Sequence, residues 1–109
     1  MSCKVKFTDT AKEDLRNIAF YIAEQSGDKK TAINFVNELR DKTKILESFP
    51  ECGAIPEDRI MKNLDYRFLV HKEYLIFYHF QKQENTSNIL SIFNAKRDYS
   101  RVMRKFIKK

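Results

Sequence analysis

The sequence predicts an α+β domain with the element order β-α-α-β-β-β-α. An antiparallel sheet packs on a helical hairpin, and a short helix closes the chain. Three observations carry this. Two apolar stripes at helical spacing are separated only by Gly27-Asp28. Three alternating or continuously apolar runs follow Pro50, Gly53 and Pro56. The last fourteen residues pair an apolar stripe with seven basic residues.

Cys3-Lys4-Val5-Lys6-Phe7-Thr8 alternates apolar and polar residues, the pattern of a half-buried strand. Thr10 with Glu13 three residues on is a capping-box signature. Ala11, Leu15, Ile18, Ala19 and Ile22 then line one helix face, and Gly27 stops the helix. Asp28 is placed to cap a second helix whose apolar face is Ala32, Phe35, Val36, Leu39, Thr43 and Leu46. The short turn between the two helices makes them an antiparallel hairpin.

Tyr66-Arg67-Phe68-Leu69-Val70 and the run Tyr74 to Phe80 follow as strands. The second carries Tyr74, Ile76 and Tyr78 on one face and Leu75 and Phe77 on the other, as suits a central strand covered on one side by helices. Gln81 to Thr86 is a polar hairpin loop, and Asn88 to Phe93 is the next strand. Short loops make the last three strands an antiparallel meander, which the first strand joins after the helical hairpin. Asp98 is placed to cap a final helix with the apolar face Tyr99, Val102, Met103 and Phe106.

The 109 residues fit a single domain spanning 1–109, enough for one ordinary core. Apolar residues make up 42% with only two Gly and two Pro, a composition that excludes disorder and collagen. No apolar stretch approaches the roughly 20 residues of a membrane span. The N-terminus lacks an apolar signal core, so a cytoplasmic protein with free thiols at Cys3 and Cys52 is expected. Cys3 is expected to be buried and inert on the first strand, and Cys52 to lie on a loop.

Charge is the informative property. The formal net charge is +6, and residues 96–109 account for all of it: Lys96, Arg97, Arg101, Arg104, Lys105, Lys108 and Lys109 against the single acid Asp98. A basic cluster beside a neutral body is an electrostatic footprint for an anionic partner. It equally fits a solvated helix end complementing the macrodipole. The sheet face opposite the hairpin is expected to be an open, shallow concave surface, with Arg67, Tyr74, Lys96, Arg97 and Tyr99 on or just beyond its strands. Grouped on such a surface they could stack bases and neutralise phosphates. Taken singly, each also fits edge packing or a surface ion pair. No phosphate-loop, dinucleotide, serine-elbow or zinc motif is present, and the two His and two Cys have no metal-ligand spacing, so no metal or cofactor is expected. His71, in a turn, and His79, on a strand, are general-base candidates by pKa alone, without a visible partner.

In this order the segments resemble the RelE/ParE superfamily of toxins from bacterial type II toxin–antitoxin modules. The residues that carry the resemblance are Thr10-Ala11-Lys12-Glu13-Asp14-Leu15, Ile18, Tyr21-Ile22-Ala23, Ala32, Phe35 and Leu39, then Phe49-Pro50-Glu51-Cys52-Gly53, Tyr66–Val70, Tyr74–Tyr78 and Ile92-Phe93-Asn94-Ala95-Lys96-Arg97-Asp98-Tyr99. The resemblance implies a growth-arresting toxin neutralised by a cognate antitoxin, and the superfamily implies two activities. ParE-type members poison DNA gyrase. RelE-type members cut mRNA in the ribosome without a metal, using basic side chains to stabilise the transition state. In this sequence Arg67, Lys96, Arg97 and Tyr99 match positions of the nuclease site. Tyr74, Arg101, Arg104 and Lys105 are the expected contacts to nucleic acid or a partner. Leu75 stands where RelE-type nucleases commonly carry arginine, and Asn94 where many relatives have histidine. These departures and the long hairpin favour the ParE-type activity, with the ribosome-dependent endoribonuclease as the alternative.

Overall fold

A computed structural model describes residues 2–56 and 65–107, the last two by their backbone only. The expected Phe106 contact and the cations Lys108 and Lys109 therefore lie outside the described side chains. The elements are β1 (Lys4–Phe7), α1 (Asp9–Ser26), α2 (Lys29–Lys42), a 3-10 turn (Thr43–Glu47), β2 (Tyr66–His71), β3 (Tyr74–Gln81), β4 (Thr86–Asn94) and α3 (Ala95–Ile107). The order and the α+β class are those expected. Among the described residues no helix is long and apolar enough to cross a membrane.

The sheet runs β1-β4-β3-β2. β2, β3 and β4 form the expected antiparallel meander, but β1 pairs with β4 in parallel, so the sheet is mixed. Short hairpin loops force antiparallel neighbours, whereas the long connection leaving β1 permits either direction. The turn before β4 and the start of α1 then fix β1 at both ends. Lys4 N donates to Asn85 O, and Asn85 Nδ2 donates to Ser2 O. Thr8 donates from N and Oγ1 to Ile89 O.

Thr8 also caps α1, its Oγ1 accepting from Ala11 N. This corrects the start expected at Thr10: a residue already anchored to β4 gives the first turn a rigid acceptor. Gly27 ends α1 in the left-handed region at φ 69°, and Asp28 caps α2 by accepting from Lys30 N, both as expected. Asp98 does not cap α3. Asn94, the last residue of β4, accepts from Lys96 N and Arg97 N, so the helix starts earlier and Asp98 falls in its first turn.

The hairpin buries Ala11, Leu15, Ile18 and Leu39 against Leu69, Tyr74, Ile76, Tyr78, Ile89 and Ile92. Burial of each large side chain contributes about 1.5–3 kcal/mol. Between Phe77 and Tyr78 the β3–β4 register shifts, with Leu90 the extra residue on β4. Beside this bulge, Asp14 of α1 accepts from Ser91 Oγ at 2.8 Å and Ile92 N at 2.9 Å. Asp14→Ala leaves both donors without that acceptor and is expected to lower unfolding free energy by about 1–3 kcal/mol, measured by urea titration.

The opposite sheet face is not bare. Val102 and Met103 of α3 pack with Phe68, Phe77 and Phe93 in a second apolar cluster. The expectation of an open concave surface is corrected on this point. An amphipathic helix following directly on β4 lowers its free energy by laying its apolar stripe on the nearest apolar sheet face.

Candidate functional site

The cationic side chains are distributed by two local devices. Asn94 starts α3 at the end of β4, and Ala95 N donates to Glu73 O in the β2–β3 turn. The helix is thereby fixed in rotation. Val102 and Met103 turn to the sheet, Tyr99 packs 6.1 Å from Phe68 and 6.5 Å from Phe93 between ring centroids, and Arg101, Arg104 and Lys105 stay outside.

Arg97 turns towards α1. Its guanidinium carbon lies 5.3 Å from the Tyr21 ring centroid. Its Nη2 donates to Asp98 Oδ2 at 3.2 Å, and Arg101 Nη2 stands 3.4 Å from Asp98 Oδ1. Burial alone would raise the Asp98 carboxyl, whose side chain is only 15% exposed. The hydrogen bonds and charges of Arg97 and Arg101 outweigh it and hold the carboxyl below the usual range. The Asp98 hydrogen bond in turn raises Arg97 further, keeping it charged.

A lowered carboxyl stabilises the fold above its unfolded pKa near 4, and that contribution is lost as pH falls through the folded value. Asp98→Asn should therefore be less stable than the parent at neutral pH. The difference should shrink below about pH 4. Unfolding curves followed by circular dichroism from pH 7 to pH 2 check this; a constant difference would contradict it.

These side chains line a cleft of about 370 Å³ between α1, the end of β4 and α3. Arg97, Arg101 and Lys105 face two carboxylates, Asp14 and Asp98, so the cleft keeps an excess positive charge. Tyr21 and Tyr74 supply aromatic walls. Such a site suits an anionic or aromatic side chain of a macromolecular partner. The Ser91 hydroxyl within it is bound to the Asp14 carboxylate, no histidine lines it, and no cluster of His, Cys, Asp and Glu able to hold a metal occurs among the described residues.

The structure thus brings Tyr74, Arg97, Arg101 and Lys105 to one place, but not the others. Tyr74 is buried on the hairpin side, edge-on to Phe35 at 5.4 Å, and not on the second face. The register explains this, because Tyr74 alternates with Leu75 and shares its face with Ile76 and Tyr78. Burial raises its phenol despite the nearby Arg97. Lys96 and Arg104 are exposed outside the cleft lining, and Tyr99 belongs to the second sheet face.

Arg67 is the largest departure. It pairs across the ladder with Tyr78, and its Nη1 donates to Glu51 O at 3.0 Å and Gly53 O at 3.2 Å. Its Nε is buried without a hydrogen-bond partner. The side chain holds the loop before β2 and does not converge with Lys96 and Arg97. The histidines are elsewhere too. His71 bonds Glu38 at 2.9 Å, tying α2 to the strands, and His79 packs 4.8 Å from Tyr66. Both cysteines are free, Cys3 buried and Cys52 exposed.

Among the cleft residues that the sequence reading does not single out for the site are Asp14, Asn17 and Tyr21 of α1. Their three- and four-residue spacing is a polar stripe beside the apolar face of α1, a signal the sequence does carry.

The comparisons agree with this architecture. Residues 5–99 match the family described as the ParE toxin of the type II toxin–antitoxin system parDE. No curated protein matches the chain at a significant level. Among solved structures, the chromosomal ParDE system of P. aeruginosa superposes with a TM-score of 0.70 at 19% identity, covering 85% of this chain and 96% of that one. A RelE toxin of E. coli in the free state gives 0.62 at 15% identity, covering 98% and 100%. The RelBE2 toxin–antitoxin complex of M. tuberculosis gives 0.57 at 16% identity, covering 86% and 99%.

Proposed function

The chain belongs to the ParE toxin family of type II toxin–antitoxin systems, and from that membership we propose that it arrests growth by engaging DNA gyrase, a protein target, and is silenced by a cognate antitoxin. The observation that supports the gyrase reading over RNA cleavage is the position of Arg67. Phosphoryl chemistry on RNA without a metal requires cations converging where charge develops. Here the Arg67 guanidinium binds the backbone of Glu51 and Gly53, and Leu75 packs against the second apolar cluster beneath α3. Arg97, Arg101 and Lys105 instead frame a cleft fitted to acidic side chains.

The antitoxin reading rests on the same cleft and on the basic outer side of α3. Acidic groups on the partner would speed association, and salt should slow it. The nuclease alternative has one feature in its favour: Lys96 is exposed at the start of α3, the helix whose Tyr99 lies on the second sheet face. Induction of the protein alone, with DNA and protein synthesis followed in parallel, separates the two. DNA synthesis should fail first, and purified protein should inhibit gyrase supercoiling. Prompt loss of translation with mRNA cleavage, and unaffected gyrase, would transfer the assignment to the ribosome.

A further inference from the structure

We propose that the solvent side of α3 binds the phosphate backbone of duplex DNA, without regard to base sequence. The cations of this helix fall in two neighbouring rows at a spacing of four residues. Arg97, Arg101 and Lys105 form the first and line the cleft against α1. Lys96 and Arg104 form the second, with Ser100 between them, and all three are exposed outside the cleft lining. The first row is partly balanced. Asp98 holds Arg97 and Arg101, and Asp9, Glu13 and Asp14 of α1 share a second groove with Arg101 and Lys105. The second row is not balanced. Among the described residues, the Lys96 ammonium and the Arg104 guanidinium make no hydrogen bond or ion pair. Glu73 stands in the turn beneath the helix start, where its carbonyl receives Ala95 N, and its carboxylate forms no ion pair with Lys96.

The composition of the second row selects the occupant. A protein partner is recognised through an apolar or aromatic core with charges at its rim. The cleft has such walls in Tyr21 and Tyr74, but the outer row has none: Val102 and Met103 are buried, and Tyr99 leans on Phe68 and Phe93. Single-stranded nucleic acid is held by stacking on exposed rings, which the row equally lacks. Duplex DNA asks only for cations. It presents one negative charge per about 1.7 Å of axis, against one per roughly 3.5 Å for an extended run of glutamates. Lys96 and Arg104 stand about 12 Å apart along the helix, so one strand of a duplex can meet both. The same sheet face carries Lys4 and Lys6. Val5 and Phe7 pack with the hairpin cluster, and the two-residue period of β1 turns the exposed lysines the other way. The inference deepens the gyrase reading and rests on it for its setting, because gyrase works on duplex DNA and so places that polymer beside the toxin.

The test mixes the purified chain with a labelled duplex of about 20 base pairs, without gyrase, and follows anisotropy from about 50 to 200 mM salt. Log affinity should fall linearly with log salt at a slope of about −3, as for three to four phosphate contacts. Lys96→Gln with Arg104→Gln should bind about tenfold or more weakly at the lowest salt, with the slope reduced by about two. Arg104→Lys, which keeps the charge, should retain the parental slope. The charge-matched variant Lys29→Gln with Lys30→Gln, exposed at the start of α2, should bind as the parent does. All three should keep the parental circular dichroism spectrum, and a duplex of unrelated sequence should give the same affinity. No binding at about 50 mM salt, equal losses in the two double variants, tighter binding of single-stranded RNA, or equal displacement by polyglutamate of matched charge would overturn the proposal. Supercoiling by gyrase, assayed separately, decides the other reading: unaffected gyrase beside the expected duplex binding removes the gyrase target and leaves this surface assigned.

Discussion

Replacing Gly53 with alanine should lower the unfolding free energy by about 2–4 kcal/mol, one of the larger single-residue losses expected in this chain. A Cβ at this position would stand 2.6 Å from Tyr78 Oη and 2.7 Å from Phe68 O. The second atom is backbone in a ladder and cannot turn aside. Ala54 N and O pair with Phe68 O and N at 2.8 and 2.9 Å, holding the loop against the β2 edge. Tyr78 is fully buried; its hydroxyl donates to Pro50 O and accepts from Gly53 N. Burial pushes this phenol up to about 12, so it stays neutral and keeps donating. Any shift that relieves the clash breaks this clamp and leaves buried polar groups unpaired. Thermal unfolding should fall by on the order of 10 °C. Adding Tyr78→Phe removes the Oη contact but leaves Phe68 O at 2.7 Å and the ring Cε1 at 2.8 Å, and it unpairs Pro50 O and Gly53 N, so the double variant should recover little of the loss. Parental stability for Gly53→Ala would refute the account of the loop.

Arg97→Ala should reduce toxicity by roughly 30-fold or more, the cost of truncating an arginine anchor at an interface, while unfolding changes by no more than about 1 kcal/mol. The side chain is 56% exposed, and its bonds within the chain are to Asp98 and the Tyr21 ring. Arg67→Ala should show the opposite profile. Loss of the donors to Glu51 O and Gly53 O should destabilise by about 1–3 kcal/mol, with residual toxicity following the folded fraction. Growth after graded induction, with unfolding curves of both purified variants, is the measurement. If Arg67→Ala abolished toxicity at full stability, the nuclease site expected from Arg67, Lys96 and Arg97 would be reinstated.

Much of this architecture is written in short-range patterns. The spacing of Leu15, Ile18 and Leu39, the Gly27 stop and the Asp28 cap depend only on neighbours within two helical turns, so sequence periodicity exposes them. The alternation of Tyr74, Leu75, Ile76, Phe77 and Tyr78 marks a strand apolar on both faces, but only the second apolar cluster shows that α3 covers the face expected to be open. The caps at Thr8 and Asn94 were less legible. Each depends on a hydroxyl or amide already positioned by β4, and spacing alone favours Thr10 and Asp98, further along the chain.

The candidate site divides in the same way. The sequence by itself determined the elements, their order, the toxin family and the concentration of positive charge in the last fourteen residues. The tertiary structure alone decided that β1 runs parallel to β4, that α3 covers the second sheet face, and that Arg97 meets Tyr21 while Arg67 holds a loop. The physical reason is the range of the forces. Helix periodicity, capping and net charge are set within a few residues. The direction a side chain takes is set by ladder register and by which apolar surfaces find each other across dozens of residues. The ladder sets Arg67 opposite Tyr78, where it reaches the Glu51 and Gly53 carbonyls and not the cleft.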